Sequence, residues 1–169
     1  MKKIVFIQSS LSLHSKSFLL LQKVSEMAKE KSFATEFLDL RTLDLPFCDG
    51  RALSDYPQEL HPIYEQIEKA DYLIFGAAIY CHSISGVLKN FIDLFSKAFK
   101  NKRFGVCAAA GSKMSYLATA DLVRILGYEA SATGIQPMVL VDKNDFKDNE
   151  IINPTIIERM ERMLTSLTD

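Results

Sequence analysis

Residues 72–79, YLIFGAAI, carry no charged side chain at any position. A strand with one face in water alternates apolar and polar residues, because successive side chains point to opposite faces. A run apolar on both faces must be covered on both, which is the condition of a parallel strand between two helical layers. The opening KKIVFIQSS has the same character over Ile4–Ile7 and is rich in branched residues. These two runs commit the chain to an α/β architecture before any motif is considered.

The rest of the chain supplies the alternation such a fold needs. From Ser15 to Lys31 the apolar positions Phe18, Leu19, Leu21, Val24 and Met27 recur at helical spacing, and Phe33–Leu40 reads as a second, shorter strand. Residues 41–57 contain Pro46, Asp49-Gly50 and Pro57 and read as a long connection with little regular structure. Helices are expected over Gln58–Ala70, Val87–Phe99 and Tyr116–Leu126, the last closed by Gly127 as a C-terminal cap. Strands are expected over Arg103–Ala110 and Ser131–Val141, and Pro154 suits the first turn of a final helix through Leu167. Five strands joined by helices fit the doubly wound, flavodoxin-like order 2-1-3-4-5, a single domain spanning 1–169. In that order ligands bind beyond the carboxyl ends of the strands, at the switch point between the first and third.

Composition narrows the partners. Apolar residues make up 48% of the 169 and charged residues 24%, a balance suited to a water-soluble domain. A net charge of −1 gives no electrostatic ground for nucleic acid or an anionic membrane as partner. Cys48, Cys81 and Cys107 are far apart and form no CxxC pair, so no metal site is expected and a reducing, cytoplasmic setting is. The four apolar residues in a row of MKKIVFIQSS are too few for a signal-peptide core, and no run reaches spanning length.

Polar residues gather where this fold places its ligands. After the first strand comes SSLSLHSKS, residues 9–17, running into a helix whose N-terminal amides suit a phosphate. Ser10, Ser12, Ser15 and Ser17 are the candidate hydroxyls, although for any single serine an N-cap or a polar turn is the simpler account. The loop has neither GxxxxGK[ST] nor any glycine, so it is not a Walker loop or a dinucleotide fingerprint. After the third strand comes Ala78-Ile79-Tyr80-Cys81-His82-Ser83, with an aromatic face and several donors. Cys81-His82 also admits a nucleophile–base reading, weakened because neighbours in a turn point apart and no Asn or Asp is placed to orient the imidazole. Gly86 is expected to let the next helix start close to this loop. After the fourth strand comes CAAAGSKMSY, where Ala109, Ala110, Gly111 and Ser112 form a wall with little side chain. Backbone can approach a planar ring there, or strand can pack tightly on helix. Asp121 and Arg124, one turn apart, read as a surface ion pair.

These loops carry a resemblance. IYCHSISGVLKNFIDLFS resembles the "YN-x-S-x-PGxLKN-x-xD" signature of NAD(P)H-dependent FMN reductases through Tyr80, Ser83, Gly86, Leu88, Lys89, Asn90 and Asp93. SSLSLHSKS is similar to that family's phosphate loop, "GSLRxxSxN", at Ser10, Leu11 and Ser15, and LDLRTLDLPFCD resembles its "DLxxLxLPxxD" connection. The resemblance implies one FMN per subunit, NADH or NADPH as reductant, and a homodimer or homotetramer with the flavin near a subunit interface. It implies that the four serines hold the phosphate, Ala78–Ser83 line the isoalloxazine, and Ala109–Ser112 border its other edge. A ping-pong transfer to a quinone, azo, nitro or free-flavin acceptor would follow, with no side chain required as general acid and none named as catalytic. Lys89, Asn90 and Asp93 read as structural or interfacial.

The departures are specific. The family's loop arginine is Ser12 here, its opening glycine Ser9 and its asparagine Ser17; the asparagine after the tyrosine is Cys81, and the proline before the glycine is Ser85. The third loop, "SGGxxGG" in the family, is Ala109-Ala110-Gly111-Ser112-Lys113-Met114-Ser115. Losing the arginine removes a charge-assisted contact of about 1.5–3 kcal/mol. Among other occupants of this fold, a phosphoacceptor receiver fails because it needs acidic residues where Gln8-Ser9-Ser10 and Tyr80 stand. A flavodoxin-type electron carrier is usually markedly acidic, unlike this chain. A non-catalytic flavin-binding protein is the remaining alternative.

Overall fold

The computed structural model describes all residues, 1–169. Its centre is a parallel sheet built on β1 (Lys3–Gln8), β2 (Ala34–Asp39), β3 (Tyr72–Tyr80) and β5 (Arg103–Ala109), in the order β2-β1-β3-β5. The edge beyond β5 is completed by two short pieces, β6 (Thr133–Gly134) and β7 (Val139–Val141), both parallel to it. The expected 2-1-3-4-5 order is therefore present, with its fifth member broken. The expected continuous strand over Ser131–Val141 does not form. Pro137 lies between the two pieces and has no N–H to give to a ladder.

The period-2 alternation divides the core into two layers. Val5 and Ile7 of β1 face one side with Leu73, Phe75, Ala77, Val106 and Ala108, beneath α2 (His61–Glu68), α3 (Gly86–Phe95) and α4 (Ala120–Ala130). Ile4 and Phe6 face the other side with Ile74, Cys107, Val139 and Val141, beneath α1 (Lys16–Glu30) and α5 (Pro154–Thr168). Full burial of such side chains contributes about 1.5–3 kcal/mol each, so a one-residue slip of β1 would be costly on both faces. Phe75, Phe91, Phe95, Phe99 and Phe104 form one aromatic cluster under α3, with centroid separations of 4.9–6.2 Å.

Other boundaries shift in instructive ways. The helix expected over Val87–Phe99 is α-helical to Phe95 and tightens to a 3-10 turn over Ser96–Phe99. The helix expected to start at Tyr116 begins at Ala120, after 3-10 turns over Lys113–Thr119. Gly127 is not its cap. The helix runs on to Ala130, and Ser131 takes the left-handed conformation at φ 51°. The 41–57 connection is irregular apart from two short 3-10 turns, and Asn90 anchors it to α3. The Asn90 amide donates to the Pro46 carbonyl (2.9 Å), and its oxygen accepts from the Cys48 amide (2.9 Å). Lys89 and Asp93 form an i,i+4 ion pair at 2.7 Å.

Candidate functional site

At the carboxyl edge of the sheet, the loop after β1 is braced from inside. Gln8 is fully buried, and its side chain closes back on Ser10, donating to the carbonyl (2.9 Å) and accepting from the amide (3.2 Å). Ser9 donates twice to the Gly76 carbonyl, from its hydroxyl at 2.8 Å and its amide at 3.1 Å. Gly76 is required by packing: a Cβ there would lie 2.5 Å from Leu21 Cδ1. The loop is thus pinned between β3 and α1.

The four serines of this loop do different jobs. Ser15 is the N-cap of α1, accepting from the Phe18 amide at 3.1 Å, and lies 3.1 Å from the buried Ser17 hydroxyl. The Ser10 hydroxyl accepts from the Ser12 amide (3.3 Å), and that of the exposed Ser12 from the His14 amide (3.1 Å). With those bonds counted, the amides of Leu11, Leu13, Ser15, Lys16 and Ser17 make no hydrogen bond within the chain. An array of unpaired N–H groups at the positive end of a helix dipole is suited to an anion.

The second loop holds a feature not visible as a pattern. Cys81 and His82 are both left-handed, at φ 50° and 61°. They form the two-residue tip of a hairpin in which β4 (Ser83–Ile84) pairs antiparallel with Ile79 and Tyr80. Two positive φ values in succession are what a two-residue hairpin needs, and Asn-Gly is its usual signal; here the signal was absent. Tyr80 stands 57% exposed at the end of β3, whereas Ala78 and Ile79 are buried beneath it. His82 does not pair with Cys81. Its Nδ1 meets the Ser115 hydroxyl at 3.1 Å, so the imidazole is oriented by the third loop.

Ser85 explains one departure. Its hydroxyl caps α3 through the Leu88 amide (3.4 Å) and reaches the Ser9 carbonyl (3.5 Å), while its own amide donates to the Ala78 carbonyl (3.1 Å). Gly86 does not serve the close approach expected of it, since a Cβ there would meet nothing within 4 Å.

The third loop is tied to both neighbours. Ser83 donates to Asp121 at 2.5 Å, so Asp121 is more than the surface partner of Arg124, which lies 3.6 Å away. On the other side Lys113 meets both oxygens of Asp145, at 2.9 and 2.8 Å. Asp145 also accepts from Asn153 (2.7 Å) and from the Asp142 amide (2.9 Å). Burial alone would raise this carboxyl; the hydrogen bonds from Lys113, Asn153 and Asp142 outweigh it and hold it below the usual range. Ala109 and Ala110 are half-buried, Gly111 and Ser112 are exposed, and a Cβ on Gly111 would meet no neighbour within 4 Å. The wall is open on its outer side. Cys107 below it is wholly buried, and burial pushes its thiol up to about 12, far from a nucleophile's range.

Three loops therefore meet at one edge, with unpaired amides in the first and small residues in the third. Those residues can hold a planar molecule bearing a phosphate, which is the shape and charge of FMN. Sequence reasoning placed the loops but did not anticipate the bonds made by Gln8, Ser115 and Asp121 or the Lys113–Asp145 pair. Of these, only Gln8 left a trace, as a polar residue closing an otherwise apolar strand.

The model of the NADPH-dependent FMN reductase family matches residues 2–145. The chain belongs to that family. Such an FMN reductase is an oxidoreductase working with FMN and a nicotinamide. A curated relative, the NAD(P)H-dependent FAD/FMN reductase of Geobacillus thermodenitrificans, is 29% identical over 153 residues, covering 88% of this chain and 83% of the relative. The FMN-dependent NADPH-azoreductase of Staphylococcus aureus is 26% identical over 155 residues, covering 89% and 81%. Among solved structures, the apo form of the NADH:FMN oxidoreductase EMOB superposes with a TM-score of 0.79 at 21% identity, covering 99% of this FMN reductase and 90% of that chain. That last likeness concerns the fold. No helix is long and apolar enough to cross a membrane.

Proposed function

We propose that this FMN reductase takes reducing equivalents from NADH or NADPH and passes them to a small acceptor, a quinone, azo compound, nitro compound or free flavin, in a ping-pong sequence at one shared pocket. The observation that carries the reading is the juxtaposition of the unpaired amides of Leu11, Leu13, Ser15, Lys16 and Ser17 with the Ala78–Ser83 and Ala109–Ser112 walls at the same sheet edge. FMN, when bound, supplies the two-electron chemistry; the protein supplies position and electrostatics. In this reading the loop containing Ser10, Ser12, Ser15 and Ser17 binds the phosphate through amides and through the hydroxyls that can turn outward. Residues 78–83 support the ring from one side and 109–112 from the other. Tyr80, exposed at the end of β3, is placed to shield the ring from water. His82 is oriented by Ser115. No side chain is assigned proton transfer, because the reaction requires none as a general acid.

A homodimer is the assembly we favour. Tyr116, Leu117, Val123 and Tyr128 leave a shallow apolar groove along α4, open to solvent in the single chain and adjoining the third loop. The odd, sparse set of cysteines, Cys48, Cys81 and Cys107, fits a reducing, cytoplasmic setting.

The test is direct. The purified protein is titrated with FMN, and oxidation of NADH and NADPH is followed with a quinone acceptor. Saturable FMN uptake with nicotinamide oxidation is expected; no uptake would sink the reading. FMN uptake without nicotinamide oxidation would point instead to an electron carrier or a flavin-binding protein. Sedimentation analysis checks the dimer.

A further inference from the structure

Lys16 stands at the first position of α1, directly after the Ser15 cap, and no acidic residue occupies the first turn. A cation there opposes the helix dipole, whose positive end already carries the unpaired amides of Leu11, Leu13, Ser15, Lys16 and Ser17. By local rules this is a poor place for lysine, and local rules are most often broken where a ligand repairs the conflict. Lys16 has no carboxylate partner: it appears in none of the chain's ion pairs. Its ammonium rests over the Phe146 ring, 4.3 Å from the centroid. A cation–π contact at a part-exposed site is weak and easily exchanged. The other basic side chains described around the edge are committed, Arg41 to Asp39 and Lys113 to Asp145. Within the loop 9–17, His14 is the only other side chain able to carry positive charge.

We propose that Lys16 is the counter-charge for the cofactor phosphate, leaving Phe146 for the dianion that the free amides collect. The proposal rests on the FMN reading given above. It places in this chain, at the helix start, the positive charge that Ser12 does not supply. Lysine's flexible four-carbon stem makes the exchange between ring and phosphate a matter of rotamers, with no backbone movement.

The experiment compares FMN with riboflavin, which has the same ring and no phosphate. Dissociation constants for both are measured by flavin fluorescence in wild type, Lys16→Met and Lys16→Arg, at low and moderate salt. Lys16→Met is expected to weaken FMN by about tenfold, the scale of one charge-assisted contact, with riboflavin nearly unchanged. Lys16→Arg should keep most of the FMN affinity, and the salt dependence of FMN binding should flatten in Lys16→Met. The melting temperature of the flavin-free Lys16→Met protein should hold or rise, since a cation is removed from a helix N-terminus. FMN affinity unchanged in Lys16→Met, or FMN and riboflavin weakened alike, overturns the assignment of Lys16. A wild type that takes up neither flavin overturns the functional reading itself, and this inference with it.

Discussion

Replacing Gln8 with leucine tests whether the anion loop is held from within. The two side chains are of similar size, and Gln8 is fully buried, so shape is nearly conserved. What is lost is the pair of bonds to Ser10, at 2.9 and 3.2 Å, and a marginal one to the Ser15 hydroxyl at 3.4 Å. The two good bonds contribute about 1 kcal/mol each, net of water. Their loss also strands the amide and carbonyl of Ser10, which have no backbone partner and are shielded from solvent. That adds about 1–3 kcal/mol, against which the extra apolar surface of leucine returns about 1 kcal/mol. A net loss of about 2–4 kcal/mol is expected, or a fall of about 5–15 °C in melting temperature for a chain of this size. Urea unfolding of flavin-free protein measures it, and hydrogen exchange should locate the added mobility in residues 9–15. A variant within about 0.5 kcal/mol of wild type, with unchanged exchange there, would refute the bracing argument.

Four further outcomes are expected. Ser15→Asp keeps a good helix cap but sets a carboxylate against the proposed phosphate position, so on that proposal FMN titration should show much weaker binding while thermal stability holds. Ser85→Pro, which restores the residue of the resembling motif, removes the donor to Ala78 and the cap on α3; denaturation should show a loss of about 1–2 kcal/mol. Gly76→Ala drives a Cβ into Leu21 and should cost about 1–3 kcal/mol by the same measurement. Asp145 has a carboxyl held below its unfolded value, so its stabilising contribution is complete above the unfolded value, near pH 4, and is lost as pH falls through the folded one. Acid unfolding of Asp145→Asn should accordingly depend less steeply on pH than that of wild type.

How much of this was legible in the sequence depends on the range of the interaction. The apolar runs at Ile4–Ile7 and Tyr72–Ile79 set the parallel sheet because burial on two faces leaves no alternation to misread. The break at Pro137 was also written in the chain, but the apolar run Met138–Val141 that follows it masked it. Ser131 as the cap of α4, in place of Gly127, was not legible: the preference of glycine for left-handed backbone is a tendency, and packing of Leu126 and Ala130 carried the helix onward. At the site, loop positions followed from topology, whereas their mutual bonds did not. His82 and Ser115 are 33 residues apart, Ser83 and Asp121 are 38, and Lys113 and Asp145 are 32. No local pattern encodes a pair at that separation.

Those three long-range pairs have a consequence for anyone reshaping the pocket. The loops at the sheet edge are buttoned to one another, so none is an independent module. A chimera importing only residues 111–121 from a relative discards the partners of His82, Ser83 and Asp145 in a single exchange. The hairpin tip would lose its hold and a buried carboxylate its counter-ion. Altering the acceptor range of the proposed site is therefore a problem of exchanging matched sets, in which loop, hairpin and the 142–145 turn travel together.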